Sequence, residues 1–369
     1  MKTIVVSAVN LRKGGTLAIL RECLNYLSEF KSKFPNEYRV VAIVHKESLA
    51  QYKGVEYIEI PWSIKSWIHR LWCEYVTLLR ISKRIEKVDL WLSLHDTTPR
   101  VSAKRQAVYC QTSFPFLKLK AKDFLFNFKI PLFALFTRFA YQINIRRNKC
   151  LIVQQEWLRE GFGKMFGISQ GKFIVAPPER KSPRIIQGNN AHSDKIRFIY
   201  PASPDCHKNF ELLCRATEVL EQEEGTNSFV VTITIKGDEN RYARWLRKKW
   251  GHISSIEFAG FLSRTDLEEM YARADCLVFP SRVETWGLPI SEFLPYEKPM
   301  LLADLPYAHE TSKGAKKVQF FDVSNARMLK QQMQEVLYGN RDRFISIPET
   351  SIAQPYAKDW HELFQLLLE

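Results

Sequence analysis

The sequence of 369 residues lacks several features that would assign it to a specialised class. Its seven cysteines (Cys23, Cys73, Cys110, Cys150, Cys206, Cys214 and Cys276) are odd in number, scattered, and never spaced as CxxC. Neither a disulfide framework nor a zinc site is supported, so reduced thiols in a cytosol are expected. No run approaches the roughly 20 apolar residues that a membrane-crossing helix needs. Met1-Lys2-Thr3 leads straight into a strand-length apolar run at 4–9, so no secretory signal is expected. No GxGxxG follows that first strand, which counts against a dinucleotide oxidoreductase. No internal repeat is seen. Acidic residues are in short supply: 40 Asp plus Glu against 54 Lys plus Arg give a formal net charge of +14. That balance favours polyanionic partners: nucleic acid, an anionic membrane face, or phosphorylated small molecules.

What is present is ample material for burial, with 46% hydrophobic and 13% aromatic residues in a chain long enough for two domains. Continuous Val/Ile/Leu runs, the mark of strands covered on both faces, alternate with helical segments. Strands are expected at 4–9, 38–44, 55–60, 90–94 and 107–109, with helices at 17–30 and 71–85. A second series has strands at 196–200, 230–235, 256–258 and 276–279, and helices at 210–222, 242–249 and 265–272. The proline-, serine- and asparagine-rich stretch 174–194 reads as a linker. A last helix at 356–368 follows Pro355. This is the pattern of an α/β protein with two doubly wound parallel sheets.

The most informative stretch is Phe279-Pro280-Ser281-Arg282-Val283-Glu284-Thr285-Trp286-Gly287-Leu288-Pro289-Ile290-Ser291-Glu292. It reads as a buried strand ending at Phe279, a loop carrying Glu284, and a helix with Glu292 in its first turn. A proline at a first helical position sacrifices no intrahelical bond, and amides around Gly287 with the helix dipole would favour an anion. Carboxylates accept from sugar and ribose hydroxyls. A diphosphate between two sugars fits two carboxylates flanking an anion site.

Glu284-x7-Glu292, with Trp286-Gly287-Leu288-Pro289 inside it, resembles the E-x7-E signature of retaining, nucleotide-sugar-dependent glycosyltransferases of the GT-B fold, of the family 4 type. It is most similar to bacterial enzymes that build O-antigen or capsular polysaccharide. The resemblance implies two Rossmann-like domains facing a cleft: an acceptor-binding domain at 1–178, a nucleotide-sugar-binding domain at 195–354, and a terminal helix (355–369) that packs back on the first. It implies no cofactor and no metal, the nucleotide-diphosphate sugar being a substrate. No Asp-x-Asp triplet occurs, so the metal-bridged diphosphate site of the other major transferase fold is not indicated.

Carried onto this chain, the resemblance gives Glu292 the ribose hydroxyls, Glu284 a hydroxyl of the transferred sugar, and Lys208 the diphosphate together with backbone around Trp286, Gly287 and Leu288. An ammonium beside the departing diphosphate lowers the barrier to its departure. The family's usual arginine slot before that lysine holds Ser203, so some of the expected positive charge is either missing or comes from elsewhere, with Arg282 as the candidate source. Gly237, in Lys236-Gly237-Asp238, and Gly260-Phe261 match the turns near the donor phosphates and nucleobase. Gly14-Gly15-Thr16, after the first strand, matches the glycine pair facing phosphate or acceptor; paired glycines also permit close backbone approach. His95 ends a strand and would point at the cleft, either bonding the transferred sugar or serving as a structural histidine. Gln111 occupies a second position where the family often has histidine; it can donate but cannot titrate.

Between Phe116 and Lys149, eight Lys and Arg residues interleave with Phe124, Phe126, Phe128, Phe133, Phe136 and Phe139. Basic residues mixed with aromatics suit contact with anionic lipid heads, and a helix pair with a solvated basic edge would read the same. Single-stranded nucleic-acid binders also combine these types, but no recognisable module accompanies them, so nucleic acid is not expected. The expected protein is a cytoplasmic transferase, peripheral on the inner membrane, acting on a lipid-linked saccharide. Other nucleotide-sugar chemistry, such as epimerisation, and a non-enzymatic basic binder are the alternatives.

Overall fold

A computed structural model describes residues 1–179 and 195–369. The larger part of the stretch read as a linker, 180–194, lies outside the described residues. The chain divides into two units: Met1–Pro115, Phe136–Glu179 and Ile352–Glu369 form one, and Phe116–Leu135 with the described residues 195–351 form the other.

The first unit is built on a seven-stranded sheet. Its strands are β1 (Lys2–Ala8), β2 (Tyr38–Val44), β3 (Val55–Glu59), β4 (Val88–Ser93), β5 (Arg105–Tyr109), β6 (Cys150–Val153) and β7 (Phe173–Val175). They lie in the order β3-β2-β1-β4-β5-β6-β7, every neighbouring pair parallel. The apolar run of β1 is buried from Thr3 onward, as two helical layers require. The helix Gly14–Lys33 buries Leu17, Leu20, Cys23, Leu24 and Leu27 along one stripe. Lys31 and Lys33 sit in its last turn, where the dipole favours cations. The helical stretch expected at 71–85 starts earlier, at Trp67, because Ser66 caps it by accepting from the His69 amide at 3.3 Å.

The terminal helix runs Trp360–Leu368, capped by Asp359, whose carboxylate accepts from the Glu362 amide. It begins four residues later than the sequence pattern suggests, because Tyr356 extends beside β7 as an isolated bridge to Val175. Leu363, Phe364 and Leu367 join the core around β1, and Phe364 stacks on Tyr26 at 5.4 Å between ring centroids. Arg159 holds the approach to this helix by donating to the carbonyls of Ala353 (2.7 Å) and Pro355 (2.8 Å).

The second unit carries β8 (Ile196–Tyr200), β9 (Phe229–Ile233), β10 (Ile256–Phe258), β11 (Cys276–Phe279), β12 (Met300–Ala303) and β13 (Val318–Phe321). The order is β10-β9-β8-β11-β12-β13, again all parallel. Each sheet thus reverses its winding once, between β1 and β4 in the first and between β8 and β11 in the second. Ligands of open parallel sheets bind beyond the carboxyl ends of strands at such reversals.

The boundary expected at 178 needs one correction. Phe116–Leu135 lies before it in sequence yet folds with the second unit. Asp123 there is buried against Arg282, and Phe126 packs on Tyr242 and Trp245 with centroids 5.4 and 5.0 Å away. A buried ion pair and an aromatic cluster hold it in place, where sequence order alone points to the first unit.

Candidate functional site

In the second unit, the loops after β8 and β11 meet at the reversal point. Cys206–Lys208 forms a single 3₁₀ turn, and Asn209 closes it in the left-handed conformation, with φ of 59°. The Asn209 amide group donates to the carbonyls of Pro280 (3.2 Å) and Val323 (3.0 Å). The Tyr200 hydroxyl donates to the Lys208 carbonyl at 2.7 Å, and the Tyr307 hydroxyl to the Ser281 carbonyl at 2.7 Å. The Arg282 amide donates to the His207 carbonyl at 2.8 Å. Both loops are therefore fixed by buried polar groups, so their functional side chains start from a set geometry.

Those side chains are Lys208 and Glu284. The Lys208 Nζ lies 2.5 Å from Glu284 Oε1, and the two side chains retain 16% and 14% of their exposure. They are shielded enough to feel each other strongly and open enough for a ligand to reach both. An ammonium and a carboxylate in contact offer a diphosphate oxygen a cation and a sugar hydroxyl an acceptor within one small volume. The neighbouring His207 ring is held well below the usual histidine range by burial first, then by the charges of Lys208 and Arg282. It adds no charge of its own.

The turn after Glu284 depends on Gly287, whose φ of +87° belongs to the left-handed region. A Cβ there would also stand 3.3 Å from Ile290 Cδ1. The helix that follows, Leu288–Phe293, has six residues and no acidic residue in its first turn. Glu292 is therefore in its second turn, a correction to the sequence reading. A helix this short would bring a weaker dipole to any anion than the sequence pattern implies. Glu292 is held from both sides: Tyr271 Oη donates to Oε2 at 3.0 Å, and Arg264 pairs with Oε1. Arg264 and Tyr271 belong to no motif of the sequence; both lie on the helix Arg264–Arg273, which Ser263 caps, and only its position after β10 could have marked them. Trp286 is buried, with Nε1 donating to Ser291 Oγ at 3.0 Å, so it contributes backbone and support, while Leu288 stays partly exposed.

Other expected donor residues divide. Gly260, with φ of +77°, precedes Phe261, which is 94% exposed on the loop after β10. An aromatic ring left that open has no packing role. Gly237 has one: a Cβ would stand 2.7 Å from Arg247 Cβ, and its amide already donates to Glu239 Oε2 at 2.9 Å. Ser203 Oγ donates to Asp205 Oδ2 at 2.8 Å within its own loop. Arg282 does not replace the missing cation. Its guanidinium is buried against Asp123 and also donates to the carbonyls of Lys118 and Cys206. A charge desolvated and paired in this way is committed to structure.

In the first unit, Gly14 has φ of +64°, and neither Gly14 nor Gly15 has any atom within 4 Å of an added Cβ. Their backbone faces open space at the carboxyl end of β1. Thr16 Oγ1 donates to the Lys13 carbonyl at 3.1 Å. His95 is 2% exposed, its Nε2 bonds Ser7 Oγ at 2.9 Å, and its Nδ1 bonds Thr97 Oγ1 at 3.2 Å. Burial, then the nearby Arg70, keeps it well below the normal histidine range. Burial and two partners inside the fold favour the structural of its two readings. Gln111 is half-buried and donates through Nε2 to the Leu94 carbonyl at 2.7 Å. Its backbone amide donates to Asp96, whose carboxyl burial pushes up to about 6.

Solved structures share this fold over nearly the whole chain. A sucrose-phosphate synthase from Thermosynechococcus elongatus superposes with a TM-score of 0.64 at 13% identity, covering 92% of this chain and 90% of its own. WaaG, a glycosyltransferase involved in lipopolysaccharide biosynthesis, gives 0.59 at 13% identity over 92% and 90%. HepE from Anabaena, solved in complex with UDP-glucose, gives 0.55 at 13% identity over 94% and 96%. At such identities the likeness establishes the fold, which is the GT-B fold of two Rossmann-like units. Residues 181–347, a stretch whose described part falls in the second unit, match the family model of glycosyl transferases group 1. Comparison with curated proteins finds no match.

Proposed function

We propose that the protein is a retaining glycosyltransferase that moves a sugar from a nucleotide-diphosphate sugar to a lipid-linked saccharide, in the assembly of a lipopolysaccharide O-antigen or capsule. The observation that carries this reading is the Lys208–Glu284 contact of 2.5 Å at the reversal point of the second sheet, with Glu284 on the loop that leads into the helix bearing Glu292. Glu292 accepts from the ribose hydroxyls, with Tyr271 and Arg264 fixing its carboxylate. Lys208 neutralises the diphosphate, and Glu284 holds a hydroxyl of the transferred sugar. The bond from the anomeric carbon to the phosphate oxygen breaks while that carbon bonds the acceptor oxygen on the same face. The acceptor proton passes to the departing phosphate oxygen, so no protein base is required; the burial of His95 is compatible with that route. The open backbone of Gly14 and Gly15, with Thr16 and Gln111, is assigned to the acceptor side.

Lipid contact is supported by the helix Lys129–Gln142, whose polarity is inverted. Leu132, Leu135, Phe136 and Phe139 are exposed along one face, and Ile143 continues that face just beyond the helix, while Thr137 and Tyr141 are buried on the other. With Lys129, Arg138, Arg146 and Arg147 close by in sequence, this face fits an anionic bilayer surface on the cytoplasmic side of the inner membrane. No helix among the described residues is long and apolar enough to cross a membrane. The direct test is calorimetry with UDP, GDP, dTDP and ADP sugars, followed by transfer to a lipid-linked saccharide with the anomeric configuration read by NMR. Transfer with retained configuration supports the assignment. Conversion of the nucleotide sugar without transfer identifies the epimerase-like alternative, and no binding of any donor removes the proposal.

A further inference from the structure

We propose that Asp123 is a positioning residue for the donor loops, reaching them from a segment outside the matched domain. The inference rests on the functional reading above. Asp123 lies on the short helix Ala121–Phe126, far ahead of residues 181–347 in sequence. Its Oδ2 accepts from Arg282 Nη1 at 3.1 Å and from the Lys120 amide at 2.8 Å, and its Oδ1 pairs with Arg282 Nη2. Both side chains are almost fully buried.

Arg282 touches both halves of the candidate site. It stands two residues before Glu284, its amide bonds the His207 carbonyl, and its Nη2 donates to the Cys206 carbonyl at 3.3 Å. Cys206 and His207 lead directly into Lys208. The guanidinium thus clamps the turn that carries Lys208 to the loop that carries Glu284, and Asp123 supplies the carboxylate that lets a buried cation stay there. The segment itself is seated by the Lys122–Glu211 ion pair and by Phe126 against Tyr242 and Trp245. Phe124, Leu125 and Phe128 on it remain exposed. Without the carboxylate, the guanidinium gains by turning toward water, and the loop bearing Glu284 moves with it.

The test compares full-length wild type with Asp123→Asn and Asp123→Glu, using the nucleotide sugar that supports turnover. Asp123→Asn is expected to raise KM for the donor at least tenfold with KM for the acceptor unchanged. Asp123→Glu, which keeps the charge, is expected to recover most of the loss. Flotation with vesicles of phosphatidylglycerol and phosphatidylethanolamine is expected to be equal in all three. A purely structural role would lower the active fraction, and so kcat, while leaving both KM values alone; that result overturns the inference. Equal impairment of the two variants overturns it as well. Wild type without turnover on any donor overturns the functional reading and this inference with it, whereas normal turnover with an unchanged donor KM in Asp123→Asn removes the inference alone.

Discussion

The reversal points of the two sheets share a topology but treat their titratable side chains in opposite ways. Beyond β4 of the first sheet, His95 is sealed under Ser7 and Thr97, and Asp96 is shielded enough to push its carboxyl up to about 6. Glu74 close by is spent on Arg70, with its carboxylate 3.6 Å from His95 Nδ1. Beyond β8 and β11 of the second sheet, Lys208 and Glu284 form a contact of opposite charges that stays part-open. Ionised groups that serve a charged ligand need both a partner and access. At the reversal point of the first unit His95 lacks access, and Glu74 has a partner but is buried, while the glycine backbone of Gly14 and Gly15 is open. The lesson is that the fold supplies two equivalent places, and burial decides which one carries charge chemistry.

The comparison breaks most sharply under substitution of the charged pair. Lys208→Ala should lower kcat by about 10²- to 10³-fold, roughly 3–4 kcal/mol of transition-state stabilisation, whereas His95→Gln should change it only a few-fold and act mainly on stability. Steady-state kinetics beside urea unfolding separates the two; equal losses of kcat would erase the distinction drawn between the sheets. Gly287→Ala should cost about 2 kcal/mol of folding stability, because alanine at φ of +87° is strained and its methyl would press on Ile290. Gly15→Ala, whose added methyl meets nothing, should leave folding near wild type, and urea titration of both variants gives the contrast.

A smaller effect concerns Asp96. Its folded-state value, raised from 3.8 to about 6, means the native protein holds a proton that the unfolded chain has already released. Its contribution to stability therefore falls as pH rises from about 4 to about 6 and stays lost above that. Asp96→Asn should remove this dependence and stabilise the protein by about 1–2 kcal/mol at pH 7.5, seen as a flatter pH profile of the urea midpoint. An unchanged profile would show that the carboxyl is not desolvated. The smallest expected change is in lipid contact: Phe139→Ser should weaken binding to anionic vesicles by about 1 kcal/mol with donor KM unaltered, measured by flotation.

Much of this was legible in the sequence. The runs at β1, β2, β8 and β11 announced themselves because parallel strands are apolar on both faces. The strand, loop and helix around Glu284 and Glu292 follow from residue order, whereas Lys208 is marked only by the family resemblance. What escaped is what depends on partners distant in sequence. Arg282 reads as a loop cation until Asp123, 159 residues away, is seen to claim it. His95 reads as a strand-end ligand until Ser7 and Thr97 close over it. Trp286 looks like a contact residue, but its indole is turned onto Ser291. Local pattern reports the element and its chemistry; burial of a polar side chain is settled by tertiary neighbours that no local spacing encodes.

The account stands on the claim that the second unit's part-open pair is the donor site. Isothermal calorimetry of wild type, Lys208→Ala and Glu292→Ala with UDP, GDP, dTDP and ADP tests it most directly. The expected result is that one nucleoside diphosphate binds wild type and that both variants bind it at least tenfold more weakly. Wild-type affinity in Lys208→Ala and Glu292→Ala would contradict the account.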